Sequence, residues 1–503
     1  MQTALRAGPV AVPRPAAISG RVPPAWVPVA LVALGTALAL LAGAARRSYH
    51  GDELYFLAAG QHLSWGYADQ GFLVPFLAWL GEAGGGAPLV VRAPAVVATV
   101  VGVVLAALLA REFGGGRWAQ TAAAAACAAS PRVLDTGSLL LTQTFDTPLW
   151  IATTWLLVRW ARTRSDRLWW GMGLVAGVAF TVKPLIAVFW VCCLAVLLVT
   201  RRRSVPGAGL AKLVALAGAG ALPYLVWQWC HGFPQATLIP VVAQETGEFA
   251  GGRAAVLPLT VVSNGALAGA ALAGYGCWAL LRDTRLAPYR FLGWTCIAVA
   301  AVMLVAGGRY YYCAGLFPVC WAAAVARLSS TRGARWWRRI ASVGVSAFTG
   351  AVVLVTGLLA GEPAWATAAT LEVRAEQGWS GFTGAVITTF DSLPPPAREA
   401  TTIVTGHYWQ AAALNWYGRA RGLPAAYSPH RGYSSFGEPP DTARTILFVG
   451  TDPAQLATHC VQQSVAPTDR GHGFARLNQG VPIWLCAAPA QGWNTLWPQL
   501  WHS

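Results

Sequence analysis

Charge is what this chain has least of. Of its 503 residues 11% are charged and 55% hydrophobic, and its mean hydropathy is +0.48, whereas soluble domains run near about a quarter charged. A wholly water-facing surface is excluded. Lysine occurs only at Lys183 and Lys212, so the net charge of +16 is carried by arginine. The arginines cluster between apolar runs, as topology determinants do, and leave no soluble basic face for nucleic acid. The ten cysteines contain no CxxC pair and no Cys/His metal spacing. Those inside apolar runs, such as Cys127, Cys192 and Cys193, read as small buried hydrophobes. No internal repeat suggests an inverted-repeat transporter.

What is present is a series of apolar runs of membrane-spanning length. They predict a polytopic α-helical membrane protein with spans at about 25–45, 90–110, 118–131, 146–161, 168–182, 184–200, 209–229, 256–281, 291–307, 311–328 and 339–360. Arg111, Arg117, the Arg159 to Arg167 group, Arg201 to Arg203 with Lys212, Arg282 to Arg290 and Arg327 to Arg339 then share one side with residues 1–24. The other loops hold only Arg46, Arg47, Arg92, Arg132, Lys183, Arg253 and Arg309. The positive-inside rule therefore places the N-terminal tail in the cytoplasm and residues after the eleventh span outside. Acidic residues run the other way, with Asp52, Glu53, Asp69, Glu82, Asp135, Asp146, Glu245 and Glu248 on the outer side.

Residues 1–24, with Arg6, Arg14, Arg21 and several prolines, read as a disordered cytoplasmic tail before an uncleaved first span. Residues 25–360 read as the transmembrane domain and 361–503 as a small extracytoplasmic α/β domain. In the latter, TTIVTG (401–406), TILFVG (445–450) and VPIWLCAAP (481–489) predict strands. HYWQAAALNWYG (407–418) and DPAQLATHC (452–460) predict helices. Cys460 and Cys486 fall in this exported part, where a disulfide is chemically permitted.

The first outer loop, 46–89, carries HGDELYFLAAGQHLSWGYADQGFLVPFLAWL at 50–80. Leu54, Leu57 and Ala58 share a face, which predicts a helix along the membrane surface holding Asp52 at the interface. Four carboxylates interleaved with Tyr55, His62, Trp65 and Tyr67 suggest a polar site with sugar-stacking aromatics, although aromatics also populate interfacial belts.

DELYFLAAGQHLSWGYADQ resembles the first outer loop of bacterial GT-C glycosyltransferases, in the branch related to protein O-mannosyltransferases and lipid A aminoarabinose transferases. TFDTPLW (144–150), Lys183-Pro184, GGRYYYCAGLFPV (307–319), QAAALNWYG (410–418) and GLPAAYSPHRGYSSFGEP (422–439) resemble the same branch in order. Two departures stand out: Gly71-Phe72 replaces a usual proline pair, and Arg309-Tyr310-Tyr311 replaces a Lys-Pro-Tyr arrangement.

The resemblance implies transfer of a sugar from a polyprenyl-phosphate donor to a hydroxyl, with inversion, on the outer face of a bacterial plasma membrane. It implies Asp52 as general base with Glu53 as neighbour or substitute. It suggests Asp69, Asp146, Lys183, Arg309, Tyr311, Tyr312, His407 and Tyr433 for substrate binding. Arginine at 309 keeps the charge and adds a planar fork suited to phosphate. Partners would be the lipid-linked sugar, membrane lipid and a protein, glycan or lipid acceptor. Carboxylates and phosphate suit Mg²⁺ or Mn²⁺, with Asp52 and Asp69 as the ligands at hand, yet no spacing demands a metal. A transporter or lipid flippase with an outer cation or substrate site is the alternative; it would be favoured by a mid-span carboxylate facing a cavity. A non-catalytic scaffold is a third reading.

Overall fold

The computed structural model describes residues 22–201, 205–249, 252–330, 351, 375–453, 458–468, 476–489 and 492–502. Fourteen helices precede residue 331 among them: α1 (Trp26–Arg46), α2 (Gly51–Gln61), α3 (Leu73–Ala83), α4 (Pro88–Glu112), α5 (Arg117–Ala128), α6 (Pro131–Thr136) and α7 (Thr142–Thr163). There follow α8 (Leu168–Val182), α9 (Ile186–Arg201), α10 (Gly207–Cys230), α11 (Pro234–Phe249), α12 (Arg253–Arg282), α13 (Arg290–Ala306) and α14 (Phe317–Ser330). By length and composition five segments can cross a membrane: Trp26–Arg46, Pro88–Glu112, Gly207–Cys230, Ala254–Arg282 and Ala287–Ala306. Ten of the expected spans coincide with helices. The eleventh, 339–360, lies outside the described residues, as does most of the 1–24 tail. The bundle is hydrophobic through its centre, where Trp150, Trp169, Phe189 and Trp321 pack with the alanines of α5. Its outward surface is also apolar, with Leu31, Val97, Leu174, Val191 and Leu267 exposed, as a lipid-facing surface requires.

Two local expectations are corrected. First, α2 is buried on nearly every face, including Leu54, Tyr55, Phe56 and Leu57. It shows no free apolar face of the kind an amphipathic surface helix presents, because α3 lies on one side and the helix Tyr408–Ala413 covers another. Second, Thr458–Cys460 belong to a strand rather than a helix; residues 454–457 lie outside the described residues.

The C-terminal residues build a five-stranded mixed sheet from β1 (Thr401–Thr405), β2 (Ala426–Tyr427), β3 (Thr445–Val449), β4 (Thr458–Val465) and β5 (Pro482–Ala487), in the order β2-β1-β3-β5-β4. β1 runs parallel to β2 and β3, while β5 is antiparallel to β3 and β4. A disulfide joins Cys460 on β4 to Cys486 on β5. One side of β1 and β3 (Ile403, Leu447, Val449) shares a core with Tyr49, Leu54, Tyr55 and Leu139 to Leu141. The sheet is thereby fastened to the first loop.

Candidate active site between the first loop and the C-terminal sheet

The site begins with how α2 starts. His50 is its N-cap: His50 Nδ1 accepts from the Asp52 amide at 3.0 Å, and Glu53 accepts from the His50 amide at 3.0 Å. Adjacent helical residues point about 100° apart, so these two neighbouring carboxylates separate. Glu53 turns inward and is fully buried. It accepts from Arg92 Nε at 2.9 Å, Arg92 Nη2 at 2.6 Å and the Leu140 amide at 2.9 Å. Arg92 spends its other donors on the carbonyls of Ala44, Arg47 and Ser48. Burial pushes the Glu53 carboxyl up, but Arg92 and the amide donors more than reverse this, leaving it below its ordinary value. Glu53 is a clamp between helices and does not line the cavity, which corrects its placement as the neighbour or substitute of the base.

Asp52 turns the other way, into a cavity of about 380 Å³. Its Oδ1 accepts from Tyr408 Oη at 3.1 Å and Trp409 Nε1 at 2.8 Å. Both donors come from the helix Tyr408–Ala413, whose N-cap is His407; His407 Nδ1 accepts from the Trp409 amide at 3.2 Å. Burial, then Arg431 and His502, hold the His407 imidazole well below its ordinary value, so it is neutral. The first loop supplies the acid and the C-terminal segment orients it.

Asp69, Lys183, Arg309, Tyr311, Tyr312 and His407 line the same cavity. Asp69 rides on a tight turn closed by the Tyr67 amide to the Gln70 carbonyl at 3.0 Å, which the Gly71 amide ties to the Val182 carbonyl at 3.2 Å. The turn therefore meets the end of α8, where Lys183 is the C-cap. Asp69 Oδ1 is buried without a hydrogen-bond partner among the described residues. Burial raises the Asp69 carboxyl, and Arg431 and Lys183 only partly offset it. Lys183 Nζ donates to Tyr312 Oη at 3.4 Å and stands 4.6 Å from that ring's centroid. Arg132 stacks on Tyr311 from outside the lining, 4.7 Å from its centroid.

Three further lining residues, none of them put forward as a site residue from the sequence, complete these contacts. Glu245 of α11 pairs through one oxygen with Arg309 and through the other with Arg431. Arg431 Nη1 in turn donates to Tyr408 Oη at 3.5 Å, with its guanidinium 5.4 Å from the ring centroid. Trp409 is the third. A continuous polar chain thus runs Asp52, Tyr408, Arg431, Glu245, Arg309. Arg431 and Trp409 lay inside motif stretches or beside them, but only tertiary contact reveals what they touch.

Two other expected site residues stay out of the lining. Asp146 lies one turn inside α7, buried, and accepts from Trp150 Nε1 at 3.1 Å. Its side chain bonds within its own helix and is not part of that lining. Tyr433 is buried beneath the site, where its hydroxyl accepts from Asn415 at 2.7 Å. As metal ligands Asp52 and Asp69 fit poorly. Among the described residues no third His, Cys, Asp or Glu joins them, and the cations Lys183 and Arg431 already act on Asp69.

Residues 69–227 match the family model for dolichyl-phosphate-mannose-protein mannosyltransferase. The fold is similar to that of ArnT from Cupriavidus metallidurans bound to undecaprenyl phosphate, with a TM-score of 0.57, 15% identity, and 92% of this chain and 98% of that one covered. The apo state of the same ArnT gives a TM-score of 0.59 at 14% identity, covering 91% and 97%. No protein of curated function matches the sequence. The family match and the fold both bear out the resemblance to the GT-C glycosyltransferase branch carried by the motifs.

Proposed function

We propose that this protein is a membrane glycosyltransferase that moves a sugar from a polyprenyl-phosphate carrier to an acceptor hydroxyl, with inversion. The observation that carries the reading is one cavity holding a carboxylate fixed by Tyr408 and Trp409 together with the cations Lys183, Arg309 and Arg431. Asp52 takes the proton of the acceptor hydroxyl as its oxygen attacks the anomeric carbon. The bond from that carbon to the phosphate oxygen breaks, and the lipid phosphate leaves with the electron pair. Lys183, Arg309 and Arg431 meet the charge that grows on it, in a partly buried setting where fixed cations act strongly. Asp69, its carboxyl raised by burial, orients the acceptor or the sugar hydroxyls.

The carrier bound to ArnT in one of the similar structures, undecaprenyl phosphate, supports a lipid-linked donor. The arginine distribution supports a cavity on the outer face of a bacterial plasma membrane, with the sheet domain extracytoplasmic. The transporter reading gains nothing from Asp146, one turn inside α7, because that side chain is not part of the cavity's lining. No step needs a divalent cation.

The test is the purified protein in nanodiscs with radiolabelled polyprenyl-phosphate sugars and a cell-envelope extract. Wild type should consume donor and Asp52→Asn should not, while remaining folded and inserted. Turnover retained in Asp52→Asn removes Asp52 as the base. A wild type that binds the lipid and consumes no donor points instead to transport or scaffolding.

A further inference from the structure

Glu245 occupies the two guanidinium groups that the proposed reaction needs for phosphate. We propose that it holds the place of the donor's phosphate group, bridging Arg309 and Arg431 until a lipid-linked phosphate displaces it. This rests on the glycosyltransferase reading of the cavity.

The geometry is that of a phosphate surrogate. One carboxylate oxygen takes Arg309 and the other takes Arg431, as two oxygens of a phosphate would, since guanidinium forks match both anions. Glu245 Oε1 and Oε2 thereby join the outer end of the bundle to the C-terminal segment. Without an anion between them, two like charges would face each other in a lining where the Arg309 and Arg431 side chains are only 21% and 14% exposed. The donor's phosphodiester offers the same charge and the same two free oxygens as the carboxylate, and the monoester left after transfer brings more charge and a third free oxygen, so either can replace the carboxylate at both cations.

The helix that carries Glu245 is built to be moved. α11 follows Gly232 and Phe233, both at positive φ (74° and 57°), and precedes Gly252 at φ 84°. Its interior holds Pro240, which removes one backbone donor. Leu238 and Val242 line the cavity from the same helix, so releasing Glu245 lets this wall retreat as the lipid head enters. Glu245 also keeps Arg431 beside Tyr408, the residue that bonds Asp52. Exchange of carboxylate for phosphate therefore preserves the chain of contacts to the base.

The experiment measures binding of undecaprenyl phosphate, without sugar, to the full chain in nanodiscs. Glu245→Gln should bind it roughly three- to tenfold more tightly than wild type, because the lipid no longer competes with an internal anion. The gain should vanish in Glu245→Gln combined with Arg431→Gln. If Glu245→Gln does not fold, Glu245→Asp carries the test: it is too short to reach both cations and should also bind more tightly. Unchanged or weaker binding by a folded Glu245 variant overturns the proposal. A wild type that binds no lipid phosphate sinks the reading of the cavity first, and this inference with it.

Discussion

Two neighbouring acids, Asp52 and Glu53, show how one helical step separates chemistry from support. Glu53 has no solvent and no cavity; every oxygen contact is to Arg92 or a backbone amide. Removing it would strand a buried guanidinium, and breaking a buried pair from one side costs about 3–5 kcal/mol. Glu53→Ala should therefore lower thermal stability sharply or abolish insertion, with activity falling only as the fold does. Asp52→Asn should melt close to wild type in the same assay, since asparagine still offers an oxygen to Tyr408 and Trp409. Equal melting of Glu53→Ala and wild type would remove the clamp role.

At the scale of elements, the decisive contact is the close approach of the Asp69 turn to the end of α8. A Cβ placed on Gly71 would lie 2.2 Å from the Thr181 carbonyl oxygen, a distance that backbone must move to relieve. Gly71→Ala should push Asp69 away from Lys183 and reduce transfer by about tenfold or more, with the protein still inserted and Glu53 still clamped. Wild-type turnover by Gly71→Ala would mean that the turn does not need this approach. Gly71 also shows what the sequence made legible. It stood out as a departure from the related proline pair, yet nothing local told that α8 would lie against it. The spans were readable because long apolar runs end in arginines. α11 was not, because Pro240, Glu245 and Glu248 break its apolar pattern and make it read as loop. β4 was misread because Asp452-Pro453 imitates a helix start. Asp52, Asp69, Lys183 and Arg309 were legible as candidate site residues, whereas Glu245, read only as one more outer acid, and Arg431 acquire their roles from each other.

Taken as a whole, the molecule places its cavity at a seam, so its function depends on the sheet staying docked. The seam carries a histidine cluster: His407 and His430 have ring centroids 4.5 Å apart, and His430 stacks on His502 at 4.9 Å. Arg431 follows immediately, its amide bonded to the His502 carbonyl at 2.7 Å. Burial, reinforced by Arg431 and the neighbouring imidazoles, pushes both His407 and His430 well below the ordinary value. An unfolded or undocked chain binds protons at these residues near about pH 6.5, while the docked one does not. Stability is thus complete above that pH and declines as pH falls below it, because protons favour the undocked state. Hydrogen exchange of the backbone from Thr401 to Ala413 in nanodiscs should be slow at about pH 7.5. After correction for intrinsic rates, protection should decline toward about pH 5, and His407→Gln should flatten the decline. The same decline should release Tyr408 and Trp409 from Asp52, so donor turnover and protection should fall together. Protection that is unchanged across this range would show that the histidines are not what ties docking to pH, and would leave the shared apolar core of Tyr55, Leu447 and Ile403 as the element that holds the seam.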